Sequence, residues 1–302
     1  MAYRNFEELI AHTMKTSVKK NVAILCADEE NTLEAAMMAA NKGIITPVLI
    51  GDEVKIKALL DKLQADFSLV RIVPAETTAD VLAACLQLIH AGEADVIMKG
   101  LIETADMMGM IVNKANGLRT SGLMSQFVIQ QVPTYHKLMC IADVALVVYP
   151  DLEQKKQILN NTVDALTRMG FTDIKVAVLA GVDMVNPKMQ EAVDADALKR
   201  MNQTGEITGC TVEGPISYDL AVDKEAARIK GFNSPVAGDA DLMLVPNMCA
   251  GNILAKSLVF SGNSVGGGIV VGAKVPVILT SRASSMQEKY HSLVLASAMN
   301  ND

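Results

Sequence analysis

The sequence of 302 residues contains no tryptophan, only five tyrosines and six phenylalanines, and no excess of positive charge. Its 27 lysines and arginines are outnumbered by 34 aspartates and glutamates, which gives a formal net charge of −7. Proteins that bind nucleic acid need a basic surface for the phosphates and often aromatic side chains on which bases stack. We therefore expect no nucleic acid among the partners of this protein.

The patterns of a metal site or a disulfide framework are also missing. The five cysteines are odd in number, widely spread and without a C-x-x-C pair, and the four histidines are scattered. Structural zinc sites and disulfide-rich domains need ligands at short, regular spacings. We expect reduced cysteines and no metal centre.

No apolar run approaches the roughly 20 residues of a membrane-spanning helix, because charged residues interrupt every hydrophobic block. The N-terminal segment M-A-Y-R-N-F-E-E-L-I carries acids where a secretory signal has a basic and then an apolar stretch. These observations predict a cytoplasmic protein that does not bind membranes.

What the sequence does contain is a regular alternation of short apolar segments with longer amphipathic ones. Predicted strands include 21–27, 44–50, 123–131, 144–149 and 174–179, and predicted helices include 32–42, 52–64 and 151–169. This alternation is typical of βαβ units and a mainly parallel sheet, and continuously apolar strands indicate helices on both faces. We predict an α/β fold.

About ten such strand–helix units exceed what a single open sheet holds comfortably, so two doubly wound, mainly parallel-sheet domains are expected. The first is predicted to comprise residues 1–136 plus 276–302, and the second residues 137–275. In such folds ligands bind beyond the carboxyl ends of the strands or between domains.

The stretch from Val275 to His291 is the best candidate for the chemistry. A short β-branched run ends at Thr280-Ser281-Arg282, and helix-compatible sequence begins near Ser285. Hydroxyls, an arginine and the free amides of a helix N-terminus together suit an anion, and Glu288 could act as a base beside it. An alternative is a capping box formed by Ser285 and Glu288, with Arg282 on the surface.

The segment Gly262-Asn263-Ser264-Val265-Gly266 matches the G-x-S-x-G pattern of serine hydrolases, and Glu288 and His291 follow it. That elbow needs a strand before the serine and a helix after it, whereas here a helix precedes and a valine-rich strand follows. The glycines 266–268 could instead admit a phosphate or a pantetheine chain, or form a tight turn.

Three further stretches of the sequence contain residues that could bind an anion, but each also has an ordinary explanation. Lys99 ends a predicted strand and could bind phosphate or lie on the surface. Arg119, Thr120 and Ser121 lie between glycines, as many loop residues do. Lys256 lies on a predicted helix, where a lysine is usually solvated.

Seven motifs, taken together, resemble the phosphate acetyl/butyryl transferase family, and its butyryl members more than its acetyl members. They run in order through most of the chain: M-K-G-L-I-E-T-A-D (98–106), L-R-T-S-G-L-M-S (118–125), Y-P-D-L-E-Q-K (149–155), E-G-P-I-S-Y-D-L-A (213–221), V-A-G-D-A-D-L-M-L-V-P (236–246), G-N-I-L-A-K (251–256) and T-S-R-A-S-S (280–285).

The resemblance implies catalytic roles for Ser281 and Arg282, which would hold phosphate and the acyl group, and for Glu288, which would assist the CoA thiol. It implies phosphate or CoA binding by residues of the other motifs and the glycine run: Lys99, Thr104, Arg119, Thr120, Ser121, Asn252, Lys256, Gly266 and Gly267. Two positions depart from the pattern. Glu288 replaces the aspartate of acetyl enzymes, and Gly109 replaces a basic residue of many relatives.

The resemblance also implies an isocitrate/isopropylmalate dehydrogenase-like fold with an interdomain cleft, a homodimer or higher homo-oligomer, and no cofactor. The expected reaction is butyryl-CoA plus phosphate giving butyryl phosphate plus CoA. Since no activated nucleophile is evident, we expect direct transfer in a ternary complex. The alternatives are an acetyl or other short or branched acyl preference, a metal- or NAD-dependent dehydrogenase, and a non-catalytic acyl-CoA-binding protein.

Overall fold

The computed structural model describes residues 2–16, 18–120, 122–281 and 283–300. The chain divides into two compact units, each built from segments that are far apart in the sequence. The middle unit comprises Met1–Glu8 and Leu123–Val265, and the flanking unit comprises Leu9–Gly122 and Gly266–Asp302.

Helices and strands alternate along the described chain. The α-helices are α1 (Phe6–Thr16), α2 (Glu30–Asn41), α3 (Glu53–Lys62), α4 (Thr78–His90), α5 (Thr104–Val112), α6 (Leu152–Arg168), α7 (Gln190–Gln203), α8 (Tyr218–Val222), α9 (Lys224–Lys230), α10 (Met248–Phe260) and α11 (Met286–Ala298). The strands are β1 (Lys20–Leu25), β2 (Ile45–Gly51), β3 (Arg71–Pro74), β4 (Val96–Lys99), β5 (Ser125–Gln131), β6 (Met139–Ala142), β7 (Ile174–Leu179), β8 (Cys210–Ile216), β9 (Leu242–Leu244), β10 (Val265–Val271) and β11 (Val277–Ile278).

In the flanking unit the strand order is β3-β2-β1-β4-β11-β10. All pairs are parallel except β10 with β11. Leu25 pairs with Lys99, and Ile278 pairs with Met98, so β1, β4 and β11 end at the same edge of the sheet. The apolar strands β1 and β4 are buried, as parallel strands covered on both faces should be.

In the middle unit the strand order is β5-β6-β9-β7-β8, with β5 antiparallel to β6 and the remaining pairs parallel. The core on one side of these strands includes Met139, Leu220 and Met243, each fully buried. These arrangements confirm the predicted α/β class with mainly parallel strands.

The predicted strand at 144–149 is wrong, and the strand β6 lies just before it. The Asp143 carboxylate accepts hydrogen bonds from the amides of Ala145, Leu146 and Val147, which folds this apolar segment into a turn. Local side-chain bonds of this kind compete with strand pairing. Tyr149, at the end of the predicted strand, is 80% exposed.

The boundaries of the two compact units differ from those drawn on the sequence after residues 136 and 275. Strand β5 pairs with β6, which brings the chain from Leu123 onward into the middle unit. Strand β10 pairs with β11, which places Gly266 and the residues after it in the flanking unit.

The described part of the chain has no helix that is both long enough and apolar enough to cross a membrane.

Candidate active site

The carboxyl edge of the flanking-unit sheet brings together three segments that the sequence keeps apart. Cys26 follows β1, Lys99 is the last residue of β4, and Thr280 and Ser281 follow β11. Because the three strands are parallel, their polar C-terminal residues meet at one edge, where ligands of α/β sheets bind.

The turn between β11 and α11 is shaped by its own hydroxyls. The Ser281 carbonyl accepts from the amide of Ser284 at 3.0 Å, and the Ser281 hydroxyl accepts from the amide of Ala283 at 3.2 Å. Ser285 is the N-cap of α11, and its hydroxyl accepts from the amide of Glu288 at 3.1 Å. Ser281 is exposed at the start of this turn. The predicted partner Arg282 lies outside the described residues.

Glu288 is partly buried in the first turn of α11, and the hydroxyl of Ser284 hydrogen-bonds its carboxylate. Burial raises the pKa of Glu288, while the Ser284 hydrogen bond and the positive charge of Lys289 oppose that rise. A carboxylate with a raised pKa is better matched to proton transfer near neutral pH than a solvated one. The N-cap function predicted for Ser285 is confirmed by the hydrogen bond from the Glu288 amide. The proposed role of Glu288 as a base stays a prediction.

Lys99 is only 4% exposed, so it is not the surface lysine that the alternative interpretation proposed. Its ammonium group donates to the carbonyl of Gly100 at 3.2 Å. Gly100 packs so closely on β1 that a Cβ would lie within 3 Å of the Cys26 carbonyl oxygen. Burial and Asp28 raise the pKa of Cys26, and the nearby Lys99 charge lowers it. The structure thus places a buried cation at the sheet edge.

The other predicted positions of the flanking unit lie on exposed surface or are engaged in packing. Thr104 is exposed at the start of α5, and Arg119 is exposed in a β-bridge with Ala273. The Thr120 hydroxyl donates to the carbonyl of Gly272 at 2.6 Å, which anchors the loop. Ser121 lies outside the described residues.

The glycine run is strand β10, and its glycines contact helix α11. A Cβ on Gly267 would lie 2.5 Å from the amide nitrogen of Ser292, and the amide of Gly268 donates to the Ser292 hydroxyl at 3.0 Å. The backbone of Gly266 is hydrogen-bonded with the side chain of His291. Close packing of helix α11 therefore explains why position 267 is a glycine.

The serine-hydrolase elbow does not form. Ser264 lies between helix α10 and strand β10, which is the reverse of the required order. Its side chain is 5% exposed and lies 3.4 Å from the side-chain oxygen of Gln130. Ser264 is therefore not placed as a nucleophile.

Asn252 and Lys256 lie on α10 in the middle unit. The Asn252 amide donates to the carbonyl of Val144 at 3.2 Å and so supports the Asp143 turn. Lys256 is exposed. The middle unit also has a cavity of about 650 Å³, lined by Tyr135, Tyr218 and Lys224 among others. None of the predicted site residues lines this cavity.

Sequence reasoning missed three residues beside Glu288. Lys289, which is 3% exposed, donates to the Glu29 carboxylate and to the Thr32 hydroxyl. Glu29 is the N-cap of α2, and its carboxylate also accepts from the Thr32 amide at 3.0 Å. Glu29 is not one of the residue types usually found at an N-cap, so the sequence gives no sign of its role. Nothing local predicts that a lysine 260 positions away joins them.

Among the described residues no group of three or more His, Cys, Asp or Glu side chains is arranged to hold a metal ion. All five cysteines are unpaired.

The described residues at and just beyond this edge of the parallel sheet therefore include hydroxyls, a buried lysine and a carboxylate of raised pKa. The family model for phosphate acetyl/butaryl transferase matches residues 5–87 and 75–297. The chain belongs to this phosphate acetyl/butyryl transferase family and is a phosphate acyltransferase.

Two curated relatives cover nearly the same length. Phosphate butyryltransferase of Clostridium acetobutylicum is 38% identical over 293 residues, which is 97% of each chain. Phosphate acetyltransferase of Rhizobium meliloti is 38% identical over 268 residues, which is 89% of this chain and 85% of the relative. The crystal structure of a branched-chain phosphotransacylase from Enterococcus faecalis V583 has a TM-score of 0.81 at 26% identity, covering 93% of this chain and 100% of that one.

Proposed function

We propose that this protein transfers a short acyl group between CoA and inorganic phosphate, with butyryl-CoA plus phosphate giving butyryl phosphate plus CoA. The butyryl preference is supported by the name of the Clostridium relative and by the motifs that favour butyryl members. The transfer is direct, with a phosphate oxygen attacking the thioester carbonyl in a ternary complex, and it uses no cofactor. The protein acts in the cytoplasm as a homodimer or higher homo-oligomer.

The single observation that carries this proposal is the position and state of Glu288. Its carboxylate is partly buried, has a raised pKa, and lies in the first turn of α11, just after the N-cap Ser285. In this role Glu288 exchanges a proton with the CoA sulfur: it donates to the departing thiolate and removes the proton in the reverse reaction.

The remaining roles follow from the chemistry of each group. Arg282 holds the phosphate through paired hydrogen bonds and so fixes the attack geometry. Ser281 donates to the carbonyl oxygen as negative charge develops, an interaction worth about 3 kcal/mol in an oxyanion hole. Lys99 adds a buried positive charge near the same sheet edge. Arg119 and Lys256, both exposed, are the candidates for contact with the CoA phosphates.

One assay tests the reaction: butyryl-CoA and phosphate are mixed with the protein and a thiol reagent records released CoA. Release that requires phosphate supports the proposal, and binding without release would leave only an acyl-CoA-binding protein. Initial rates at varied concentrations of both substrates should give intersecting double-reciprocal lines. Parallel lines, together with an acylated protein in the mass spectrum, would show a covalent intermediate instead.

Acetyl and branched acyl groups are the second candidates, because the Rhizobium and Enterococcus relatives carry those names. Each methylene in a pocket changes selectivity by about 1–3 kcal/mol. The ratio of kcat/KM for butyryl-CoA, acetyl-CoA and isobutyryl-CoA decides among them, and the proposal expects butyryl-CoA to have the highest value.

A further inference from the structure

Helix α11 and helix α2 are joined near their N-termini by one ion pair, in which the lysine is buried and the glutamate is partly exposed. The Glu29 carboxylate, as N-cap of α2, is bonded to the amide and the hydroxyl of Thr32. The same carboxylate receives the ammonium group of Lys289, which also lies 3.0 Å from the Thr32 hydroxyl. A single carboxylate therefore holds the first turns of both helices.

The side chains of this cluster are shielded from solvent. Lys289 is 4% exposed, Thr32 is fully buried, and the side chain of Glu29 is 19% exposed. Breaking a buried pair leaves an uncompensated charge, so the geometry is held firmly. By contrast, Glu30, the first residue of α2, forms an ion pair with Lys62 of α3. The lysine nitrogen lies 2.7 Å from the carboxylate, and both side chains are exposed.

Lys289 directly follows Glu288, so the position of its ammonium group constrains the backbone that carries the catalytic carboxylate. We propose that Lys289, held by Glu29 and Thr32, is a positioning residue that sets the placement and the charge state of Glu288. This inference rests on the proposed function, in which Glu288 exchanges the CoA proton.

The charges of Lys289 and Glu29 act on the pKa of Glu288 in opposite directions. The charge of Lys289 lowers the pKa of Glu288 against the effect of burial. Glu29 faces Lys289 from the N-terminus of α2. Burial acts to raise the pKa of Glu29, but the hydrogen bonds with Lys289 and Thr32 lower it. The negative charge of Glu29 offsets part of the electric field of Lys289. Lys42, the C-cap of α2, lies over the ring of Tyr290 and acts on His291.

The test measures kcat and the pH profile of kcat in the direction from acyl phosphate and CoA to acyl-CoA, in which Glu288 must be deprotonated. Lys289→Met should lower kcat on the order of tenfold or more, because small misplacements of a catalytic group cost up to about 10²-fold. It should also move the acidic limb to higher pH, since the positive charge is gone. Glu29→Gln should lower kcat too, but move the limb to lower pH, because Lys289 is then uncompensated.

If Lys289 and Glu29 only stabilised the fold, Lys289→Met and Glu29→Gln would lower stability and leave the pH of the acidic limb unchanged. Lys289→Arg, which keeps the charge, should retain the wild-type limb even if its kcat falls. The matched controls are Lys62→Met and Glu30→Gln, which remove the exposed pair and should leave kcat and the limb unchanged. Circular dichroism and urea unfolding show whether each variant is folded under assay conditions.

Glu288→Gln separates the two proposals. If it abolishes the acidic limb while Lys289→Met and Glu29→Gln leave the limb of the folded enzyme in place, the positioning role is overturned and the role of Glu288 stands. If Glu288→Gln retains the limb and the activity, the role of Glu288 itself is overturned. Opposite limb shifts in the two charge variants, absent in the controls, support the inference.

Discussion

The ammonium group of Lys155 on α6 lies 2.6 Å from the carboxylate of Asp194 on α7, with the two side chains only 6% and 5% exposed. The same carboxylate accepts a hydrogen bond from the side-chain amide of Gln190 at 2.7 Å. The pair joins two helices of the middle unit at a place where no solvent can replace either partner. Its value to the fold therefore shows when one partner is removed.

We expect Lys155→Ala to destabilise the protein by about 3–5 kcal/mol, because it leaves the Asp194 charge buried without its counter-ion. Urea unfolding at neutral pH measures the change. Arg4→Ala is the control: it removes a solvent-accessible pair with Glu8, for which a much smaller loss of stability is expected. Equal effects of the two substitutions would contradict the difference in burial.

Gly267→Ala should destabilise the protein by about 1–3 kcal/mol, because the added methyl group meets the backbone of α11 at Ser292. Gly109→Ala, on the exposed side of α5, has open space and should be stabilising by about 0.5–1 kcal/mol through helix propensity. Thermal unfolding of both variants gives the comparison. A neutral Gly267→Ala would show that α11 does not press on β10 as the structure has it.

His291 makes stability depend on pH between about 4 and 6.5. Burial lowers the pKa of this imidazole from 6.5 to about 4, with the charge of Lys42 acting in the same direction. Since the unfolded chain binds the proton first, stability is complete above pH 6.5 and falls as the pH drops towards 4, by about 3 kcal/mol. His291→Asn should lose much of this dependence in urea unfolding at several pH values. The exposed His90→Asn serves as the control, and an unaltered dependence in His291→Asn would assign it to other groups.

Glu288→Gln should reduce kcat by about 10²–10⁴-fold, the usual contribution of general acid–base catalysis. Because burial raises the pKa of Glu288, the acidic limb of the wild-type profile should lie above the ordinary carboxylate range. Steady-state kinetics from about pH 4 to about pH 9, a range that includes the ordinary carboxylate pKa of about 4.3, measures both effects. A limb at the ordinary carboxylate value would mean that Glu288 is solvated during turnover.

Arg119→Ala and Lys256→Ala test the anchoring of the CoA phosphates. Losing a hydrogen bond to a charged group costs about 1.5–3 kcal/mol, so a rise in KM for acyl-CoA of roughly 10- to 100-fold is expected with little change in kcat. Initial rates at varied acyl-CoA concentration measure it, with Lys57→Ala, an exposed lysine of α3 paired with Glu53, as the control. Unchanged KM values for both variants would place the CoA phosphates on other residues.

Much of the architecture could be read from local pattern. The alternation of apolar strands and amphipathic helices predicts βαβ units because crossovers between parallel strands require that order. The strand ends at Lys99 and Ser281 were found in the same way. Local pattern gave a wrong prediction for the segment from Met139 to Tyr149, because its apolar residues continue on both sides of Asp143. The hydrogen bonds of the Asp143 carboxylate end the strand and form the turn.

The site could be predicted only in part, for a physical reason that its lysines illustrate. Sequence rules place Lys99, Lys155 and Lys289 on the surface, because a charged group is costly to bury. Each is buried in the fold. The partners Asp194 and Glu29 that offset this cost for Lys155 and Lys289 lie 39 and 260 positions away in the chain.

The sequence alone determined the α/β class, the edge at which the strand ends carry hydroxyls and charge, and the family, because these depend on periodicity and short motifs. Tertiary structure decided which strands pair, which glycines serve packing, and which charged groups are buried together. Those outcomes depend on contacts between segments far apart in the chain, and local pattern does not encode such contacts. The surroundings of Glu288 are the clearest case: its carboxylate was visible in the sequence, but the ion pair beside it was not.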